Sequence, residues 1–152
     1  MGVLDAIASW RRPLGAAVAA VAVVAAAVGC SGGTIVAGGS NTVVRVVERD
    51  FKISAPRRVR AGDVVLQASN RGPVHHELIV VRAPAAGAAL PLRADQLTVD
   101  EEGVRGGSSA IEPYGPGSIR ELRLHLSPGR YILLCNLAGH YLGGMHTLVV
   151  VR

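Results

Sequence analysis

Eleven consecutive residues, Cys135-Asn-Leu-Ala-Gly-His140-Tyr-Leu-Gly-Gly-Met145, leave this 152-residue chain few ways to fold there. A thiol, an imidazole and a thioether recur five residues apart, with no charged side chain between them. An α-helix turns about 100° per residue, so this spacing would scatter the three groups around its surface. Gly139, Gly143 and Gly144 favour a tight loop instead, because glycine reaches backbone conformations closed to other residues. The flanks read as strands: Tyr131, Leu133 and Cys135 share one face, and Thr147-Leu-Val-Val-Val151 follows the loop. The segment is therefore strand, loop, strand, and the loop can fold its three side chains toward one point.

The same alternation recurs upstream. Residues 43–53 are rich in β-branched side chains with polar ones interspersed, and Ala61-Gly62-Asp63 makes a turn. Val64, Leu66 and Ala68 then alternate with Val65, Gln67 and Ser69 before the breaker Asn70-Arg71-Gly72-Pro73. His76, Leu78 and Val80 share one face of a third strand. Later, Leu122, Leu124 and Leu126 alternate with Glu121, Arg123 and His125, which puts His125 on the surface, and Ser127-Pro128-Gly129 turns the chain. Aromatic residues are only 3% of the chain, and the single Trp is Trp10. The core is thus expected from Val, Leu and Ile, with Phe51 and a few Tyr, a β-rich composition. The fold class that follows is all-β: a Greek-key β-sandwich of about seven to eight strands. Residues 83–117, rich in Ala, Pro and Gly with an acidic Asp100-Glu101-Glu102, are expected to form a long connection between the two sheets, with a short helix around 94–102.

Thiolate, imidazole and thioether are the donors that select copper in electron-transfer sites, where two His and one Cys lie roughly in a plane and Met is a long axial contact. Zinc sites use Cys, His and carboxylate rather than thioether. The loop lacks one imidazole, which must come from elsewhere. Over residues 43–152 the chain resembles the cupredoxins, the small blue-copper electron carriers. The resemblance rests on Asn70-Arg-Gly-Pro-Val-His-His76-Glu-Leu and on Ser127-Pro-Gly-Arg-Tyr131-Ile-Leu-Leu-Cys135 continuing through Met145. Four residues separate each ligand pair in the loop, as in sulfocyanin- and auracyanin-like members. The resemblance implies one copper ion, cycling between Cu(I) and Cu(II), held by His76, Cys135, His140 and Met145. His75 and His76 compete for the upstream position. Adjacent strand residues point to opposite faces, and His76 is the one in phase with Leu78 and Val80.

Leu134 and Asn136 flank Cys135, whereas multicopper oxidases carry histidines there, and a dinuclear copper centre would need a second cysteine in the loop. Four protein donors leave no open position for substrate, so an electron-transfer protein is expected rather than an enzyme. Its redox partners are expected to dock near the His140 loop, where Leu137, Ala138, Tyr141, Leu142, Gly143 and Gly144 are small or apolar. The alternative is that Leu137 and Leu142 turn inward and pack the loop. A different class of reading is an extracytoplasmic lipoprotein that carries or buffers copper without redox turnover. A third is a sensor or assembly module built on the same fold.

The N-terminus speaks to location. Trp10-Arg11-Arg12-Pro13 precedes fifteen uncharged residues, 14–28, nearly all Ala and Val, as in a secretory signal. Ala27-Val28-Gly29-Cys30 resembles a bacterial lipobox, which implies cleavage before Cys30 and lipidation of its sulfur. Residues 1–29 are then a signal peptide, 30–42 a Gly/Ser-rich tether, and 43–152 the cupredoxin-like domain, lipid-anchored to the outer face of the cytoplasmic membrane in the cell envelope or periplasm. An uncleaved anchor and simple secretion remain the alternatives. With those contexts, Cys30 and Cys135 are not expected to form a disulfide. The net charge is +5, but the arginines are scattered without a dense run or interleaved aromatics, so nucleic acid is not an expected partner. A monomer is expected.

Overall fold

A computed structural model describes residues 41–86 and 88–152. The expected signal peptide and Cys30, with most of the tether, lie outside the described residues. Among the described residues nine strands form: β1 (Thr42–Arg49), β2 (Lys52–Ser54), β3 (Arg58–Val59), β4 (Gly62–Asn70), β5 (His76–Arg82), β6 (Ser108–Tyr114), β7 (Ile119–Leu126), β8 (Gly129–Leu134) and β9 (His146–Val151). They divide into a four-stranded sheet, β2-β1-β4-β7, and a five-stranded sheet, β3-β9-β8-β5-β6. The expected all-β sandwich is present, and the strands beyond seven are the two- and three-residue β3 and β2.

Period-two patterning builds the core. Val44 and Val46 of β1 and Val64, Leu66 and Ala68 of β4 face inward, and they meet Leu78, Val80, Leu133, Val149 and Val151 of the other sheet. β5 departs from simple alternation, because Leu78-Ile-Val-Val81 is buried on both faces. Its second face carries Ile79 and Val81, which pack with Leu134 against Leu90, Val99 and Val104 of the segment after β5. A strand covered on both sides reads as a continuous apolar run.

Three expectations are corrected. Residues 83–117, expected as one connection between the sheets, first return to β6, the antiparallel neighbour of β5 in the same sheet, and only then cross to β7 in the other. β6 was hidden because it is an edge strand with Pro113 inside it, only Ile111 and Tyr114 buried, and a bulge in its register between His76 and Leu78. The expected helix around 94–102 is a turn. Asp95 Oδ1 accepts from the Leu97 and Thr98 amides at 2.8 and 3.0 Å, and Thr98 Oγ1 donates to Asp95 Oδ2, a local bonding pattern that competes with helix. Phe51, expected in the core, is 54% exposed at the β1–β2 turn, with φ of 57°. His125 does lie on the surface, where Nδ1 meets Asp63 Oδ1 across the β4–β7 pair at 2.8 Å.

Candidate metal centre

The site forms at one end of the sandwich, where β5 begins and the β8–β9 connection closes. His76 is the first residue of β5 and is fully buried. The turn before it is fixed by Asn70, whose Nδ2 donates to the carbonyls of Val74 (2.8 Å) and Tyr114 (3.0 Å), while its Oδ1 accepts from the Gly72 amide (2.9 Å). Cys135 follows β8 and is fully buried. Its amide donates to the Met145 carbonyl at 3.1 Å, one step beyond the last β8–β9 pair, Leu134 and His146. Between these points the chain makes successive turns. The His140 amide donates to Leu137 (2.8 Å), Gly143 to Gly139 (2.9 Å) and Met145 to His140 (3.0 Å). Gly139 and Gly144 occupy the left-handed region, φ 80° and 98°, which the loop requires.

These turns bring the expected donors together. One donor atom each from His76, Cys135 and His140 lies within 4.8 Å of the others. Cys135 Sγ is 3.3 Å from His140 Nδ1, and the His76 and His140 rings meet edge-on with centroids 5.3 Å apart. Met145 is fully buried in the same core cluster as Cys135. His75, just before β5, is exposed, whereas His76 is buried. Leu142 is 53% exposed, whereas Leu137 packs against the main core.

The electrostatics are those of an enclosed site. Burial pushes the Cys135 thiol up to about 11, against the lowering effect of the Glu77 and Leu137 backbone N–H groups. Burial, and next the neighbouring His140, hold His76 below the usual imidazole range, with Asp50 acting in the opposite sense. Asp50 Oδ1 is 3.2 Å from His76 Nε2 but off the N–H direction, so neither ring nitrogen of His76 has a hydrogen-bond partner among the described residues. Deeper in the core, Tyr114 Oη donates to Glu48, a fully buried carboxyl that burial raises to about 7.

Several residues of the site carried no signal in the sequence. Phe51 lies over His140 with ring centroids 5.6 Å apart, and any Cβ on Gly143 would collide with its ring. Glu77, buried enough that its pKa is raised, accepts from the Asn136 amide at 2.9 Å, tying the residue after His76 to the residue after Cys135. The Asn136 side chain reaches the segment after β5: Oδ1 accepts from Val99 N (2.6 Å), and Nδ2 donates to Val99 O (3.0 Å) and Glu101 Oε1 (3.0 Å). The Gly139 amide donates to Leu97 O at 3.2 Å in the same place. Only the positions of Glu77 and Asn136, each directly following a candidate ligand, could have flagged them.

No protein-family model matches the chain, and no curated protein matches it. Solved structures do. An auracyanin from Roseiflexus castenholzii is 19% identical, with a TM-score of 0.54 over 75% of this chain and 99% of its own. Auracyanin A, a "blue" copper protein of Chloroflexus aurantiacus, is 18% identical, with a TM-score of 0.53 over 74% and 99%. Rusticyanin of Thiobacillus ferrooxidans is 14% identical, with a TM-score of 0.52 over 74% and 79%. At these identities the likeness is one of architecture: residues 41–152 fold as a cupredoxin-like β-sandwich.

Proposed function

We propose that this protein is a mononuclear type 1 copper electron carrier in which His76, Cys135, His140 and Met145 hold the ion. The observation that carries the reading is the buried cluster itself. Three donors lie within 4.8 Å, and among the described residues the enclosed His76 ring has no hydrogen-bond partner at either nitrogen. A buried polar group left unpaired costs about 1–3 kcal/mol, which a bound ion would offset. One thiol, two imidazoles and a buried thioether suit copper by their softness. A bound copper ion would supply one-electron exchange between Cu(I) and Cu(II).

The chain's own residues supply the rest. The β8–β9 ladder and the Asn70-stapled turn hold Cys135 and His76 from opposite directions, and the core excludes water around them. His140 is half-buried, and beside it Leu142 and Phe51 form an exposed apolar rim. That rim is the docking surface we assign to redox partners, with His140 as the electron port. Enclosure of His76, Cys135 and Met145 favours a resident ion over one that is handed on. Lipid on Cys30 would keep the domain at the outer face of the cytoplasmic membrane.

The test is the visible spectrum of the full chain, purified in detergent and loaded with Cu(II). An intense thiolate-to-copper charge-transfer band is expected, and it disappears in Cys135→Ser. A colourless Cu(II) complex, or colour surviving in the serine variant, refutes the reading.

A further inference from the structure

A neutral imidazole has one N–H and one lone pair, and the partner met by one nitrogen decides which role is left to the other. On His76 the metal would need a lone pair. The β1–β2 turn settles which nitrogen offers it. Arg49 pairs with Lys52, so Asp50 and Phe51 alone make the turn, and it delivers the Asp50 carboxylate to 3.2 Å from His76 Nε2. A carboxylate can only accept. It attracts an N–H on Nε2 and repels a lone pair there, and both effects survive the poor angle because charge acts at a distance. The remaining nitrogen, Nδ1, is buried and unpartnered. His140 likewise presents Nδ1 toward Cys135.

Both sides of the approach are fixed. The Arg71 amide donates to Glu48 O at 2.7 Å, joining the end of β1 to the turn before His76, and Asn70 holds that turn through Gly72. Gly72 itself is the gap through which the two groups meet. A Cβ there would stand 2.7 Å from both Asp50 Oδ1 and His76 Nε2. Phe51, in the left-handed region and seated on Gly143, anchors the far side of the turn. Strained backbone of this kind persists where the surroundings over-determine it, and it clusters at functional sites.

We propose that Asp50 is a positioning residue for His76, holding the ring proton on Nε2 so that the Nδ1 lone pair faces the metal. The metal itself rests on the copper reading above; the tautomer does not. Carboxylates behind metal-ligating histidines fix tautomer and ring orientation in this way, and losing them costs roughly 10–100-fold in metal affinity.

The experiment reads the tautomer directly in the metal-free full chain, from long-range nitrogen–proton NMR correlations of the His76 ring. The wild type is expected as the Nε2–H form. Asp50→Ala loses the bias, and Asp50→Asn, which keeps an acceptor but not the charge, weakens it. Gly72→Ala, which wedges between the two groups without touching the charge, shifts the ratio in the same direction as Asp50→Ala, by less. Cu(I) affinity falls at least tenfold in Asp50→Ala and by less in Asp50→Asn. An Nδ1–H form in the wild type, or an unchanged tautomer ratio in Asp50→Ala, overturns the proposal. A wild type with that tautomer but no copper colour would refute the copper reading alone.

Discussion

Glu48 offers the most quantitative check on the packing around the site. β1 points it inward in phase with Val44 and Val46, and no part of it reaches solvent. Burial is the main cause that raises its carboxyl from 4.5 to about 7; the Tyr114 hydroxyl works against it and the Glu77 charge with it. A raised carboxyl keeps its proton in the folded state while the unfolded chain has already released its own. The stability this represents is full below about pH 4.5 and is lost as pH rises to about 7. At 1.36 kcal/mol for each pH unit, that interval comes to about 3 kcal/mol. This is a large share of the roughly 5–15 kcal/mol that holds a typical domain together. Urea unfolding of the metal-free protein, followed by far-UV circular dichroism, should therefore show a midpoint that falls by about 1–3 M between pH 4.5 and 7.5. Glu48→Gln removes the titration but keeps the shape and an acceptor for Tyr114. Its midpoint should sit lower at acid pH, because the amide brings unpaired donors into the core, but its pH profile should be flat by comparison. The difference in slope between the two proteins isolates Glu48 from Glu77 and the surface carboxylates. Parallel profiles would refute the assignment of a protonated, core-buried Glu48.

Other perturbations probe the site and its setting. His76→Gly should bleach the copper site or open it to added imidazole, while His75→Gly stays close to wild type in the visible spectrum; the reverse pattern would make His75 the ligand. Leu142→Glu should slow electron exchange with a physiological partner without moving the absorption band, and an unaffected rate would remove Leu142 from the docking rim. Cys30→Ala should abolish incorporation of labelled fatty acid, and equal labelling of both proteins would rule out lipid on that sulfur.

The parts of this protein that were legible in its sequence depend on near neighbours. Glycine spacing marked the Cys135–Met145 segment as a loop, and strand phase separated His76 from His75, because both are properties of a few adjacent residues. What was hidden depends on distant ones. β6 pairs with β5 across twenty-five intervening residues and, at the sheet edge, can carry Pro113 and leave most of its side chains in water. Phe51 looks like core by hydrophobicity, yet its place was decided by the absence of a side chain on Gly143. Asp50 and Glu48 sit in a strand-and-turn of ordinary composition. Only the packing of β1 against the turn before His76 gives one carboxyl a histidine and buries the other. Asn136 gave no sign that it would bind Val99 and Glu101, since that segment has no regular structure of its own.

That last contact bears on how such a loop could be moved between proteins. The side chain of Asn136 closes three hydrogen bonds, all of them to residues between β5 and β6, and Gly139 adds a fourth link to Leu97. The eleven residues that carry Cys135, His140 and Met145 are therefore half of a shape whose other half, at Val99 and Glu101, lies 37 and 35 residues before Asn136. Grafted alone into another sandwich, the loop would arrive with its Asn136 amide and carbonyl facing nothing built to receive them. A graft that also carries residues 97–101 would bring its own mould, and it is the unit in which this site could be transplanted.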